Sequence, residues 1–419
     1  MSTLEAPRVR AVAQVGARRP AEQKPATLRR RRRPGHLGPV HVLQIVALES
    51  ALVLAVLGWR ASGWPRPVLY GFAVVLPLLV FARFRGRWLL EQLVLRSRFR
   101  RRRATAHPSV RDRRLTALRD LAPDLTVETV DAVGGTRLGV GRDAGGWFAV
   151  VALTPPRGLR GPAQDLPPFD LLARSLADAE QPGTVVQVLV HTTPGNSAGV
   201  SGPCVESYQE LVRPFGGTAA VRPVSVGDQS CWVAVRIEAR AVAEVAIETP
   251  EAIGEVPAVL GALVRRVGNV LKRNGFGYRA LDGDGLLDAL VHSLAVEVTP
   301  AGTDRRTAQE TWRGWSAAGL EHRSFWIRSW PKLDAAAGFL AELYQSPAVM
   351  TSLSVTMVPG PTGAEIRCLA RVVDSPEAIG AAADGLRSAA RAVRAHVFPL
   401  DGEQSPAAYA TAPTAVGPA

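Results

Sequence analysis

The sequence predicts an α/β (α+β) domain with an internal repeat, facing the cytoplasm and preceded by a two-helix transmembrane hairpin. Two apolar segments lie near the N-terminus of the 419-residue chain. From about residue 121 onward, short segments of alternating apolar and polar residues, typical of strands, interleave with helical patterns. Within this region, residues 246–254 and 372–380 align without gaps at an offset of 126.

The hairpin is predicted over residues 40–82. Residues 40–59 are mostly apolar and would rise about 30 Å as a helix, which matches a bilayer core. Residues 67–82 would rise about 24 Å, and the flanking Arg66 and Arg83 can extend toward the interface to compensate for the shorter length. The short link between the segments favours a tight turn.

Several hairpin residues are candidates for contacts. Trp59 and Trp64 flank the link, and with Trp88 they are the predicted membrane-contact residues, because tryptophan favours the interface. Glu49 lies within the first segment, where a carboxylate is costly in lipid, so this helix is expected to face protein. Glu49, Gly58 and Gly71 are the predicted helix-partner residues.

The charge is concentrated in the first third of the chain. The net charge is +13, yet residues 1–120 hold 25 Lys+Arg and only 6 Asp+Glu. The remaining residues are mildly acidic, so nucleic acid is not an expected partner of the main domain. The arginines on both sides of residues 40–82 predict a multi-pass plasma-membrane protein with both termini in the cytoplasm. Residues 1–39 are predicted to be a basic, disordered tail.

Residues 83–120 predict a basic juxtamembrane helix. Its apolar residues would rest at the membrane interface, with its arginines among anionic lipid headgroups. The alternative is a helix packed on the chain's own domain.

Residues 121–419 predict the α/β domain, with two related halves over about 185–300 and 350–413. Residues 232–238 and 352–358 alternate as half-buried strands do, and residues 185–190 are apolar enough for a central strand. In each aligned segment a strand is predicted to meet an N-cap residue, Thr249 or Ser375, at the start of a helix.

Asp282 and Asp284 form a D-x-D pair, which is the kind of acidic pair that can share a divalent metal. The corresponding place in the second half carries Asp401 and Glu403. A feature found in both halves is better explained as a turn after a helix, so no metal site is predicted. No other catalytic motif stands out, and neither an enzymatic activity nor a cofactor is predicted.

A segment rich in tryptophan and arginine runs over residues 312–330. Trp312, Trp326, Arg328 and Trp330 are candidate residues of a protein–protein interface, because Trp and Arg dominate such interfaces. The alternative is that these rings fill a core with arginines stacked on them.

Three features of the chain together resemble the EccE family of actinobacterial type VII secretion. They are the hairpin that begins GHLGPVHVLQIVALE, the segment HRSFWIRSWP at residues 322–331, and the C-terminal segment PLDGEQSPAAYATAP at residues 399–413. The resemblance extends over about residues 34–415.

The resemblance implies a non-enzymatic subunit of a plasma-membrane core complex. Its partners would be EccB-, EccC- and EccD-like subunits, with the EccC-like subunit as the ATPase, and its fold would be glycosyltransferase-like. Two alternatives remain: a membrane-anchored glycosyltransferase-like enzyme using Asp282 and Asp284, and a tether that binds anionic lipid or nucleic acid through the arginine runs.

Overall fold

The computed structural model describes residues 36–37, 40–84, 87–104, 110, 112–132, 135–154, 167–179, 181–193, 228–249, 251–298, 308–331, 338–340, 342–343, 348–360 and 363–416. The predicted basic tail, residues 1–39, lies outside these residues except for His36 and Leu37.

The N-terminal part is a helical hairpin. Its elements are β1 (His36–Leu37), β2 (Val40–His41), α1 (Val42–Arg60) and α2 (Pro65–Phe81). Small residues let the two helices approach: Ala47 and Ala51 are buried, and a Cβ on Gly58 would lie 3.4 Å from α2. Gln44 Nε2 donates to the Val80 carbonyl at 3.4 Å, which ties the start of α1 to the end of α2.

The prediction that this hairpin is transmembrane is wrong. Across the residues that the structure describes, no helix has both the length and the apolarity to cross a bilayer. A span needs about 20 mostly apolar residues. The 17 residues of α2 rise only about 25 Å. The 19 residues of α1 rise about 28 Å, include Gln44 and Glu49, and end at Arg60. The predicted multi-pass location is corrected for the same reason.

A basic helix follows the hairpin and packs on the rest of the chain. The next elements are β3 (Arg83–Phe84), β4 (Arg87–Trp88), α3 (Leu89–Ala104) and α4 (Arg113–Leu118). In α3, Gln92 and Leu95 are buried, and Phe99 and Arg102 are half-buried. Their spacing of three and four residues places them on one face of the helix. This face therefore packs on the chain itself, which was the alternative to a contact with lipid.

A twelve-stranded antiparallel sheet forms the core of the described chain. Its strands, in chain order, are β5 (Thr126–Ala132), β6 (Thr136–Asp143), β7 (Gly146–Thr154), β8 (Thr184–Thr193), β9 (Asp228–Glu238), β10 (Gly277–Ala280), β11 (Ala308–Glu310), β12 (Trp315–Ala317), β13 (Leu320–Ser329), β14 (Met350–Gly360), β15 (Gly363–Asp374) and β16 (His396–Pro399).

The two halves of this sheet share one pairing order. The first half runs β5-β6-β7-β9-β8 with β10 beside β7, and the second runs β11-β12-β13-β15-β14 with β16 beside β13. The halves meet where β8 pairs with β14. Leu281 donates its N–H to the Val150 carbonyl, and Leu400 donates to the Ser324 carbonyl at the matching place. This order supports two related halves, whose bounds at about 185–300 and 350–413 stay a prediction.

Helices cover both faces of the sheet. The remaining helices are α5 (Phe169–Ala177), α6 (Ala239–Glu248), α7 (Ala252–Arg273), α8 (Gly283–Leu294), α9 (Ile379–Ala392) and α10 (Gln404–Ala410). Apolar residues of α5, α6, α7 and α9 pack on one face, and those of α4, α8 and α10 pack on the other. The result is a three-layer α/β arrangement around an antiparallel sheet.

Strand β14 was predicted to be half-buried, and this is correct for its apolar face only. Leu353, Val355 and Met357 of β14 contribute to the core under α5, α7 and α9. The opposite side chains of Ser352 and Ser354 have no exposed surface. Both faces of this strand are therefore covered, and its polar face needs partners inside the protein.

One aligned segment has a different local structure from the one predicted. Residues 246–248 form the last turn of α6 and not a strand, and Thr249 ends that helix. In the second half, Asp374 does end a strand, and Ser375 Oγ accepts a hydrogen bond from the Ala378 N–H at 3.3 Å. The first half therefore has an additional helix, α6, at the place where the second half has the end of a strand.

The C-terminal segment, residues 404–416, covers the polar face of the central strands. Gln187 Nε2 donates to Ser354 Oγ at 2.7 Å and to the Ala410 carbonyl at 2.8 Å. Gln187 Oε1 accepts from the N–H groups of Thr414 at 3.0 Å and Ala415 at 2.7 Å. One buried amide therefore joins both central strands to this segment.

An ion pair fixes the same segment at the first half of the sheet. Arg236 binds both carboxylate oxygens of Asp143, at 2.7 and 2.6 Å, and donates to the Thr414 carbonyl at 2.9 Å. Tyr409 donates its hydroxyl to Asp143 at 2.8 Å. Burial alone would raise the pKa of Asp143, but hydrogen bonds and the charge of Arg236 outweigh it and hold that pKa below its ordinary value.

A buried arginine, Arg371, lies in the second half of the sheet. Arg371 has no exposed surface and donates to the Ser293 carbonyl, to Ser352 Oγ and to His322 Nδ1. His191 Nδ1 lies 2.9 Å from the same Ser352 oxygen. Burial lowers the pKa of His191 to about 3, with the charges of Arg371 and His292 adding to the effect, and lowers the pKa of His322 well below its ordinary value.

These histidines predict an acid-sensitive fold. Because their folded pKa values lie below the unfolded value of about 6.5, the unfolded chain binds more protons as the pH falls below 6.5. The free energy of unfolding should fall by about 1 kcal/mol per histidine between pH 7 and pH 5.5. Urea unfolding at the two pH values measures it.

The variant His322→Asn should remove about half of this pH dependence, because the amide oxygen can accept from Arg371 but does not titrate. The matched variant of the exposed His396, His396→Asn, should leave it unchanged. Equal stability of the wild type at both pH values would contradict the assignment.

Candidate partner-binding site

The turn between β11 and β12 presents Trp312 at the edge of the sheet. Thr311 N–H donates to the Gly314 carbonyl at 2.8 Å, and Gly314 N–H donates to Thr311 Oγ1 at 3.0 Å. A Cβ on Gly314 would lie 2.6 Å from Glu321 of the next strand. The turn is therefore tight, and it holds the half-buried Trp312 ring toward α3.

Aromatic and cation–π contacts join Trp312 to α3. The rings of Phe99 and Trp312 meet edge to face, with centroids 5.5 Å apart. The Arg96 guanidinium lies 6.0 Å from the Trp312 ring centroid. Such contacts each contribute about 0.5–1.5 kcal/mol beyond the burial of area.

A glycine completes this contact from the other side. Gly402 has φ +78°, and a Cβ there would lie 2.7 Å from the Trp312 ring and 3.2 Å from Leu95 of α3. Its N–H donates to the Trp312 carbonyl at 2.6 Å. Both the backbone conformation and the close approach therefore require glycine.

A bidentate ion pair fixes the other end of α3. Arg102 binds both carboxylate oxygens of Glu310 at 3.1 Å and donates to the Gly402 carbonyl at 2.6 Å. Glu310 also accepts from the Ser405 N–H at 3.0 Å. One carboxylate thus joins α3, β11 and the start of α10.

We call this contact between α3 (Leu95, Phe99, Arg102) and the sheet (Glu310, Trp312, Gly402) the joint. On its outer side lies a cationic and aromatic groove of about 530 Å³. Its lining residues come from α3 and the Trp312 turn: Arg96, Phe99, Arg100, Arg103 and Trp312. Trp and Arg together are characteristic of protein interfaces, so this groove suits a partner with acidic and apolar groups.

The predicted interface residues do not form one cluster. Only Trp312 belongs to the joint. Trp326 is half-buried against Leu400 and α10, Arg328 is exposed and lies 5.9 Å from the Phe398 ring centroid, and Trp330 is 38% exposed at the end of β13. Their role at an interface stays a prediction.

The predicted hairpin residues are likewise spread out. Trp59 and Trp64 are about 80% exposed, while Trp88 packs edge to face on Phe81. Glu49 is exposed. Gly58 contacts α2, whereas nothing lies within 4 Å of a Cβ on Gly71. Their predicted contacts with membrane or partner helices remain untested.

The D-x-D carboxylates have structural roles. Asp282 Oδ1 accepts from the Gly285 N–H at 3.0 Å and caps α8. Arg114 binds Asp284 at 2.6 Å and Asp288 at 2.8 Å. These hydrogen bonds raise the pKa of Arg114 further above its ordinary value. In the described part of the chain, no group of three or more His, Cys, Asp or Glu residues is placed to hold a metal ion.

Two contributors to the joint were missed in the sequence. Arg102 belongs to a run of eight residues dominated by arginine, and nothing in the pattern separates it from its neighbours. Its partner Glu310 is 208 positions away. The glycine of LDGEQ, Gly402, was the available signal, because a Gly after Asp marks a turn with positive φ.

One comparison with known proteins matches part of the chain to a family model. Residues 225–327 match the family model described as "Putative type VII ESX secretion system translocon, EccE". This match confirms the resemblance over about a quarter of the chain. The matched segment runs from before β9 into β13, and it includes Glu310 and Trp312 of the joint. No curated protein matches the chain significantly.

The ion pair of the joint yields a prediction. Arg102→Ala should lower the free energy of unfolding by about 2–3 kcal/mol, because it leaves the buried Glu310 carboxylate short of its partner. It should also speed amide hydrogen exchange in α3. The exposed Arg98, changed to Ala, is the matched control and should alter neither quantity. Unchanged exchange in the Arg102 variant would show that the ion pair does not hold α3.

Proposed function

We propose that this chain is a non-enzymatic, partner-binding subunit of a type VII secretion translocon. The observation that carries the proposal is the match of residues 225–327 to the EccE family. The same segment holds the turn on which α3 docks, and Trp88, just before α3, packs on Phe81 of the hairpin, so the matched part of the sheet is connected to the hairpin through α3.

The hairpin surface supports a role in binding other subunits. Many of its large apolar side chains are more than 40% exposed. They are Val42, Val46, Leu48, Leu52, Val53, Val56, Leu57, Val68, Phe72, Val74, Val75, Leu78, Leu79 and Phe81. An apolar surface of this extent marks an interaction site. We propose that apolar helices of other translocon subunits cover it.

The joint links the position of the hairpin to the orientation of the sheet. The joint attaches α3 to the sheet. A partner that holds the hairpin therefore also fixes the orientation of the sheet. The sheet can then offer its outer surfaces to further partners. A non-enzymatic subunit would contribute to a complex in this way.

The enzymatic alternative has less support. A glycosyltransferase using Asp282 and Asp284 would need both carboxylates available for a metal. Asp282 instead caps α8, and Asp284 pairs with Arg114. No specific observation favours sugar transfer.

The finer features of the proposal are predictions. Membership of a type VII system indicates association with the plasma membrane, and the expected partners are EccB-, EccC- and EccD-like subunits with an EccC-like ATPase. Anionic lipid is a further proposed partner of the exposed arginines of α3. Both termini are predicted to be cytoplasmic.

The test is co-purification of the tagged, full-length chain from cells that contain the secretion system. The wild type should recover other translocon subunits. The double variant Leu52→Arg, Phe72→Arg places charges on the exposed hairpin surface and should lower their recovery about tenfold or more, because burying an unpaired charge costs several kcal/mol.

Ile247→Arg is the matched control, because Ile247 is 83% exposed on α6, away from the hairpin. It should leave recovery unchanged, and the circular dichroism of both variants should equal that of the wild type. Full recovery of partners by the double variant, or recovery of the wild-type chain alone, would refute the proposal.

A further inference from the structure

A polar pocket of about 350 Å³ lies at the second half of the sheet, separate from the groove at Trp312. It lies between the first half of α9, the middle of β13, the end of β16, the turn that carries Arg313 and the turn that leads into α10. Its lining residues are Arg313, Arg323, Phe325, Gly380, Asp384, Arg387, Pro399, Asp401 and Gln404. Pockets of this size hold small organic molecules.

Three guanidinium groups line this pocket. Arg313 is exposed and has no ion-pair or hydrogen-bond partner among the described residues. Arg323 uses its Nε and Nη2 atoms on Glu321. Arg387 lies 5.2 Å from the Phe325 ring centroid and pairs with Asp384 at 2.7 Å. The pocket thus retains donors that the protein itself does not use, and its lining arginines outnumber its carboxylates.

A buried amide supplies a further donor. Gln404 is only 1% exposed, and its Oε1 accepts from the Ser324 N–H at 2.8 Å. Its Nε2 forms no hydrogen bond within the described chain, although the residue lines the pocket. This nitrogen is not fully buried, so it keeps contact with the pocket, where a ligand or water can accept its hydrogen bonds.

The start of α9 adds backbone donors. Gly380 lies in the first turn of this 14-residue helix, and nothing lies within 4 Å of a Cβ built on it. The N–H of Ile379, the first residue of α9, already donates to the Ser375 carbonyl at 2.9 Å, so the next N–H groups of the first turn are the available donors, and the helix dipole places partial positive charge there. A helix start beside arginines is the arrangement with which proteins bind phosphate.

We propose that this pocket binds a small molecule through its phosphate group, with Arg313, Gln404 Nε2 and the start of α9 as the donors. Asp384 and Asp401 also line the pocket, and they disfavour a large polyanion. The acidic side chains therefore favour a monophosphate. The inference does not depend on the proposed role in secretion.

Calorimetry of the full-length chain at low ionic strength tests the proposal, with inorganic phosphate, glycerol 3-phosphate and acetate as the probes. Phosphate should bind to one saturable site, and acetate should bind more weakly. Tighter binding of glycerol 3-phosphate would support an organic phosphate as the ligand, and equal binding would support phosphate itself. Acetate binding as tight as phosphate binding would overturn the proposal.

Two variants assign the site. Arg313→Gln removes a charge that has no structural partner and should weaken phosphate binding about tenfold or more. Gln404→Glu keeps the acceptor for Ser324 but replaces the donor by a carboxylate, and binding should be lost. Arg273→Gln, at the exposed end of α7, removes the same charge elsewhere and should have no effect.

Each outcome for the variants is decisive. If the Gln404 variant unfolds, the Arg313 variant alone tests the site. Wild-type affinity in the Arg313 variant, or no saturable phosphate binding by the wild type, would overturn the proposal.

Discussion

The buried amide of Gln187 is the interaction on which the rest of this structure depends. It lies on β8, where the two halves of the sheet meet, and it bonds to Ser354 of β14 and to three backbone groups of the C-terminal segment. A polar side chain at the centre of a sheet is destabilising unless all of its hydrogen bonds are formed. The C-terminal segment forms three of them, so residues 410–415 are part of the core.

The same segment connects this core to the N-terminal hairpin. Ser405, at the start of α10, donates to Glu310, and Glu310 binds Arg102 of α3. Gly402, just before α10, lies against Trp312 and Leu95. A chain of direct contacts therefore runs from the central strands to α3, and Trp88, just before α3, packs on Phe81 of the hairpin.

The sequence predicted those features that follow from local patterns. Alternation identified β9 and β14, and the apolar run at residues 185–190 identified β8 as a central strand, which the structure confirms. Alternation could not reveal what covers the polar face of β14. Ser352 and Ser354 are typical of a solvent-facing side of a strand, but Ser354 bonds to Ala410, 56 residues later, and Ser352 bonds to the buried Arg371 and His191.

The predictions were less accurate for features that depend on contacts between residues far apart in the sequence or on exact helix length. The hairpin is helical as predicted, but its helices of 19 and 17 residues do not combine the length and the apolarity that a membrane span needs. The joint depends on Arg102 and Glu310, which come together only in the folded chain. By contrast, the rejection of a metal site at Asp282 and Asp284 rested on the repeat, and the structure gives both side chains other partners.

Native-state hydrogen exchange at the amides of Thr414 and Ala415 tests whether the C-terminal segment belongs to the core. If these N–H groups bond to Gln187 in the core, they should exchange only on global unfolding, at the rate of the most protected amides of β8 and β14. Exchange at the rate of an unstructured peptide, with the central strands still protected, would show that the C-terminal segment is not part of the core and would contradict the account.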